Sequence, residues 1–423
     1  MIDLESFKQA DLICPVTVSA WGSVIGYLAW SKRRQCALFE YAQSHGEMRY
    51  QLSPFAMPRV PKHIYRPALP CHLVPPLFTD SLPGPFARYL VDSELLRRSP
   101  PQDTITPLDR LAWIGSRTTG VFEFSSSAFP QSAAQPALLD LPDLIGGYKA
   151  VASGDSPAND HLRDLVLFAG CGVTSDLPAF MVSTDESSSK VFIDQDGAIE
   201  NQTHWLLSPS LSASSSETKS LQVAYSKLAE AAGIRIAKQR LIQADGLSHC
   251  FTQRIDRDDA GNRVHLQSLS AIGRSRVSSS KPDTLKEHFG LLRSLRAVRA
   301  DQLQLFRQIL FSWAIQATPD SSQSIMVTLA KNGQWALAPA NDFEAFAEYV
   351  ARNAEAYAWQ RQGLPDLSYH QLIKLGREQI PRFKPEGVFD ELKSAMSQWH
   401  HIAEACGVPE RLADAARKRF RAT

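Results

Sequence analysis

Apolar and polar positions alternate over short runs near the start of the chain: VTVSAWGSVIGYLAW, CALFEYAQ, and VFEF at 121–124. These runs are rich in β-branched and aromatic residues and are divided by proline-bearing turns, which predicts half-buried strands. Between them, PPLFTDSLPGPFARYLVDSELL and TPLDRLAWIG open with turn residues and continue with apolar residues at helical spacing. Leu77, Phe86 and Leu90 carry that spacing in the first stretch and Leu108, Leu111 and Ala112 in the second, so residues 1–125 read as a small α+β unit.

A Ser-, Ala- and Pro-rich stretch at 125–142 reads as a connecting segment, with the main boundary there. From about residue 162 a second β-containing segment is expected through LVLFAG, PAFMVST, KVFIDQDG and THWLLS. The Ser-rich SLSASSSE then leads into a helix in which Leu221, Ala224, Tyr225, Leu228 and Ala231 share one face and Gly233 ends the run. A hairpin-like pair follows, CFTQRIDR and NRVHLQSL, and the chain from about 282 is mostly helical.

At 423 residues the chain exceeds one ordinary core, so two or three packed units are expected. Its hydrophobic fraction of 44% and charged fraction of 21% are those of a globular protein. Forty-five Lys and Arg against 44 Asp and Glu leave a net charge of +1, so no global field draws nucleic acid or membrane. The N-terminal MIDLESFKQADLICPVTV lacks a basic leader, and no apolar run reaches the ~18 residues of a membrane span, which predicts a cytoplasmic protein. Cys14, Cys36, Cys71, Cys171, Cys250 and Cys406 form no C-x-x-C pair and read as small hydrophobes.

A small sheet, a hairpin and then a helical half is the order of a protein-kinase-like fold, with nucleotide held between the lobes. Within that order LFEYAQS, PPLFTDSLPGPFARYLVD, PLDRLAWIGSRTTGVFEF, LAEAAGI, FTQRIDR, RVHLQSL and LAPANDF resemble, in sequence and spacing, the HipA family of bacterial toxin–antitoxin serine/threonine kinases. The resemblance implies an α+β chain. It has a HipA-like N-terminal domain at 1–125, a connecting segment at 126–160, a kinase-like N-lobe at 161–256 and a helical C-lobe at 257–423. It further implies ATP and Mg2+ as cofactors and a helix-turn-helix antitoxin as partner, through which DNA contact is indirect.

Carried over residue by residue, the family's chemistry is incomplete. Its catalytic loop aligns with ATPDSSQS, placing the catalytic Asp on Pro319, the His on Ser321, the Lys on Gln323 and the metal-binding Asn on Ser324. Asp320 takes the catalytic place only if the loop carries a one-residue insertion, while Asp342, followed by Phe343, matches the second metal ligand. The phosphate loop aligns with GCGVTSDLPAF, keeping Gly170 and Gly172 but placing Asp176, Leu177 or Pro178 where a cation is expected. The phosphate lysine falls on Leu207 and the autophosphorylated serine on Leu167. Gln253, Arg254 and Ile255 match the adenine hinge, which uses mainly backbone. Catalytic groups act as a unit, so these losses predict a pseudokinase that works by binding protein. The alternative is an active ATP-dependent kinase toxin using Asp320 and Asp342. A third reading is direct nucleic-acid binding by the basic C-terminal helix around Arg411, Arg417, Lys418, Arg419 and Arg421, against a solvated helix end as the plainer one.

Other groups carry plainer readings. Asp256, Asp258, Asp259 and Gly261 suggest a calcium loop, but Ala260 and Gln267 stand where ligands belong, which favours a β-turn. His400 and His401 are helix neighbours pointing ~100° apart, a poor pair for one metal. His265 is read equally as a packed strand residue or a functional one.

Overall fold

The computed structural model describes residues 12–43, 50–67, 73–98, 105–128, 137–153, 160–175, 177–184, 190–193, 202–273, 282–316, 325–340 and 367–421. The N-terminal unit is an antiparallel sheet of β1 (Leu12–Ala20), β2 (Ser23–Ser31), β3 (Cys36–Tyr41), β4 (Ile64–Tyr65) and β5 (Phe122–Ser125), in the order β4-β3-β2-β1-β5. Trp21 and Gly22 both take positive φ between β1 and β2, the two-residue turn whose twist suits a hairpin. A 3-10 turn at Pro76–Ser81, α1 (Pro85–Arg98) and α2 (Pro107–Ile114) complete the unit. Thr106 and Asp109 cap α2 reciprocally and Pro107 opens it, which is why TPLDRLAWIG becomes a helix there.

The second sheet has six strands, in the order β10-β11-β9-β7-β8-β6. They are β6 (Ala137–Asp140), β7 (Phe180–Thr184), β8 (Lys190–Ile193), β9 (Thr203–Ser208), β10 (Gln239–Ala244) and β11 (Leu247–Gln253). One face, carrying Phe180, Val182, Trp205, Leu207 and Phe251, packs under α3 (Leu141–Ser153) and α4 (Asp160–Gly170). α5 (Ala213–Ala231), opened by a Ser212–Ser215 capping box, lies against β10 and β11. Gly233, at φ +74°, lets the chain leave α5.

Three expectations change here. LVLFAG is the C-terminal part of α4, not a strand, because a continuous apolar run does not distinguish the two and burial of Leu165, Val166 and Ala169 against α3 selects the helix. The connecting stretch 126–160 contains β6 and α3, so the sheet begins inside it. The expected CFTQRIDR/NRVHLQSL hairpin contracts to one Arg257–Arg263 bridge, and β12 (His265–Ser268) instead pairs with β13 (Met326–Leu329), which pairs with β14 (Trp335–Leu337).

The helical half comprises α6 (Leu269–Gly273), α7 (Pro282–Ser294), α8 (Arg299–Ala314), α9 (Tyr369–Gln379), α10 (Pro385–Ser397), α11 (Trp399–Ala405) and α12 (Glu410–Arg417). Tyr225 of α5 stacks on the fully buried Trp399 at 5.1 Å between ring centroids, tying α5 to this half. The N-terminal sheet shares a continuous apolar core with the helical half. Polar contacts reinforce it: His265 Nε2 bonds the Leu52 carbonyl at 2.9 Å, and Ser268 donates to Asp80 through both its N–H and its hydroxyl. Among the described residues no helix is long and apolar enough to cross a membrane.

Candidate site at the hinge and inner sheet face

Successive residues of a strand point to opposite faces, which decides what β9 can offer a ligand. Leu207 pairs with Phe180 and Phe251 and lies with them beneath α3 and α4, completely buried. The opposite face carries Leu206 and Ser208, with Met181 beside Leu206 and Cys250 beside Ser208. A phosphate contact from this strand would come from Leu206 or Ser208, and THWLLS has neither Lys nor Arg. Leu207, on which the resemblance places the phosphate lysine, therefore lies on the outer face. Leu167, the expected serine position, is a buried α4 residue.

Gly170 and Gly172 lie at the end of α4 and in the turn after it. A Cβ on Gly172 would stand 1.4 Å from the Arg117 carbonyl oxygen, and one on Gly170 would meet Leu90 Cδ1 at 2.8 Å. Their smallness is used to admit the N-terminal unit, not to leave an open cradle. Asp176, the catalytic-loop positions Pro319, Asp320, Ser321, Gln323 and Ser324, and Asp342 with Phe343 lie outside the described residues.

The hinge is fastened rather than open. The Gln253 N–H donates to the Lys238 carbonyl and the Arg254 N–H to the His204 carbonyl, so two of the three hinge amides serve the sheet. The Arg254 guanidinium forks onto Asp256 at 2.9 and 2.7 Å and reaches the Thr118 carbonyl. Arg257 Nη1 joins Asp256 at 2.8 Å, and the Gly120 N–H of the N-terminal unit donates to the same carboxylate at 2.7 Å. Burial pushes the Asp256 carboxyl up, but Arg254 and Arg257 with these hydrogen bonds overcome it and hold it well below the usual carboxylate range. Arg257 is brought down to about 9, by burial first and then by repulsion from Arg254, with Asp256 opposing. Arg263 extends the fastening, donating to the Ser116 and Gly120 carbonyls.

Beside this knot lies a cavity of about 470 Å³ reaching Trp21, Arg117, Phe168, Met181, Ser183, His204, Arg254, Arg257, Arg263 and Lys331. Of the expected site residues only Arg254 lines it. Arg117, Arg257, Arg263 and Lys331 escaped attention in the sequence, although RIDRDDAGNR shows a dense alternation of charge. The turn reading of that stretch holds: Asp258 accepts from the Ala260 and Asn262 N–H groups, and Gly261 has φ +78°. Among the described residues no group of His, Cys, Asp and Glu is placed to hold a metal ion.

The description "HipA N-terminal domain" matches residues 16–125, and "HipA-like C-terminal domain" matches residues 184–423. The chain belongs to the HipA family. The HipA family is one of toxin–antitoxin proteins, and the α+β architecture agrees with a solved HipA of Shewanella oneidensis MR-1, described in complex with HipB and its operator DNA. The likeness has a TM-score of 0.59 at 12% identity and covers 96% of each chain. The Helicobacter pylori proinflammatory kinase CtkA is far more distant, with a TM-score of 0.29 at 8% identity over 52% of this chain and 91% of its own. No curated protein matches the chain. The HipA assignment covers the N-terminal unit as well as residues 184–423.

Proposed function

We propose that this HipA-family chain is a pseudokinase of a toxin–antitoxin module, acting by binding a helix-turn-helix antitoxin of the HipB type. The supporting observation is the inner face of β9, where a phosphate-contacting strand presents Leu206 and Ser208 and carries no cation. The sequence adds Pro319 and Ser324 at the positions aligned with the catalytic Asp and the metal-binding Asn. Loss of several members of one catalytic unit removes nearly all of its rate. The fastened hinge supports a role as a rigid platform, since Arg254, Asp256 and Gly120 join the lobes' connection to the N-terminal unit. The S. oneidensis HipA is described with HipB and operator DNA, so DNA contact here is read as passing through the partner.

The test is co-expression with a helix-turn-helix protein encoded beside it, followed by sizing of the complex and calorimetric titration with ATP and Mg2+. A stable complex with no phosphotransfer and no nucleotide heat up to ~1 mM is expected. Phosphotransfer that disappears in Asp320→Ala or Asp342→Ala would replace this reading with an active kinase. Failure to form any complex would remove the binding role.

A further inference from the structure

The chain between α5 and β10 is held more firmly than the end of a helix requires. Asp301, Gln304 and Arg307, which share one face of α8 at i, i+3 spacing, all bond to it. Arg307 Nη1 donates to the Ala232 carbonyl at 2.9 Å, Gln304 Nε2 donates to the Gly233 carbonyl at 3.0 Å, and Gln304 Oε1 accepts from the Arg235 N–H at 2.8 Å. Asp301, whose side chain is 1% exposed, accepts from the Arg235 guanidinium, which also reaches the Leu337 carbonyl. A helix end leaves carbonyls to be satisfied, which accounts for Ala232, but Arg235 lies beyond α5. Gly233 suits the place twice, because its φ of +74° favours glycine and a Cβ there would stand 2.8 Å from Arg307 Nη1.

The same linker pairs with the helical half through its backbone. The Ala340 N–H donates to the Arg235 carbonyl at 2.9 Å and the Ala237 N–H to the Ala340 carbonyl at 2.8 Å, a parallel bridge centred on Ile236. Ala340 follows β14, which packs on α8, and Ala338 beside it donates to the Met326 carbonyl of β13. Lys238, next along the linker, accepts from the Gln253 N–H at the hinge. The covalent hinge after β11 therefore has a second, non-covalent strand beside it, which ends on α8 and the β13–β14 hairpin. A hinge works by letting a few residues change φ and ψ, and a bonded neighbour opposes that change because its hydrogen bonds must break first.

We propose that residues 232–237 form an interlobe latch, closed by Arg235, that fixes α5 and the six-stranded sheet relative to the helical half. Arg235 is 46% exposed and Asp301 is not, so a buried carboxylate depends on a cation that reaches in from the surface. Asp301 Oδ2 has no hydrogen-bond partner among the described residues, so no second donor there takes the place of Arg235. The latch makes the lobes move as one body, and it holds whether or not the chain transfers phosphate.

The experiment is amide hydrogen exchange of the full chain, unaltered and as Arg235→Gln and Gln304→Ala. Gln304→Ala removes two bonds to the linker without leaving a buried charge, so it reports even if Arg235→Gln fails to fold. In the variants, exchange at Ala237 and Ala340 is expected to rise about tenfold and at the Arg254 N–H of the hinge about threefold, with β7 and the interior of α8 unchanged. The rise at Arg254 is the mark of lobes that move, since this amide donates to the His204 carbonyl and not to a latch residue. Faster exchange at Ala237 and Ala340 alone would reduce these contacts to the anchor of a loop and overturn the proposal. A uniform rise along the chain would make Arg235 and Gln304 contributors to global stability only, which overturns it equally. Unchanged exchange at Ala340 would show that α8 does not close the latch, and the proposal falls on that result as well.

Discussion

Asp80 and Ser268 stand 188 residues apart in sequence, yet the Asp80 carboxylate accepts from the Ser268 N–H at 2.7 Å and its hydroxyl at 3.0 Å. The aspartate opens the DSLPGPF stretch that carries part of the HipA resemblance, and its role in the fold is to join the N-terminal unit to β12. Asp80→Ala leaves a buried N–H unsatisfied, so a loss of about 1–3 kcal/mol is expected, with Ser268→Ala costing less because its N–H bond remains. Urea unfolding of both single variants and the double variant checks this. Equal losses, or strict additivity in the double variant, would show that the pair is not coupled.

A larger effect is expected at Asp256. Removing its charge in Asp256→Asn leaves Arg254 and Arg257 facing one another behind a wall that water scarcely enters. Breaking a buried ion pair from one side costs about 3–5 kcal/mol, and the damage should be felt at the N-terminal unit through the Gly120 N–H. Thermal unfolding together with hydrogen exchange at Gly120 measures both parts. An unchanged melting temperature would show that the knot is not a structural element.

Acid should weaken the fold in two stages. His265 and His288 are buried and brought down to about 4, by burial first, with the Leu52 carbonyl opposing at His265. Their folded-state affinity for protons lies below the unfolded value of about 6.5, so the unfolded state binds protons first and the pair removes stability as pH drops from about 6.5 to 4, offset in part by Asp80, whose carboxyl burial raises to about 6 and which therefore takes up its proton first in the fold. Asp256, held low in the fold, contributes stability that is present above the unfolded carboxylate value and lost at still lower pH. Each histidine accounts for on the order of 3 kcal/mol over its window. His288→Leu should flatten the first stage while leaving the second, which unfolding curves between pH 4 and 7 would resolve.

The sequence made the strands of the N-terminal unit, the α5 helix and the family legible because each rests on local signals: alternation, a Ser-rich cap and motif order. α4 was not legible as a helix, since LVLFAG is uniformly apolar and only its packing on Tyr148 and Leu144 decides the matter. The cationic cavity was hidden for a different reason. Arg117 lies on the N-terminal unit, Arg257 and Arg263 flank a turn and Lys331 belongs to another hairpin, so no stretch of sequence holds them together. In the C-terminal basic run Arg411 pairs with Glu217, Arg417 covers Phe420 and Arg421 bonds the Trp313 carbonyl, contacts that the local sequence does not announce.

The alternation along β9 gives the sharpest test of the proposed loss of the phosphate site. Leu207→Lys forces an ammonium beneath α3 and α4, where Phe180 and Phe251 surround it and no described carboxylate belongs to that core, so a loss of several kcal/mol or failure to fold is expected. Leu206→Lys places the same charge on the other face, where the side chain is only partly buried beside Met181, and about 1–2 kcal/mol is the expected cost. If the inner face is what remains of a phosphate site, Leu206→Lys should also raise affinity for ATP and Mg2+ measurably while Leu207→Lys cannot. Melting temperatures and nucleotide titrations of the two variants decide it. Equal tolerance of both lysines would mean that the two faces of β9 do not differ as the strand register requires.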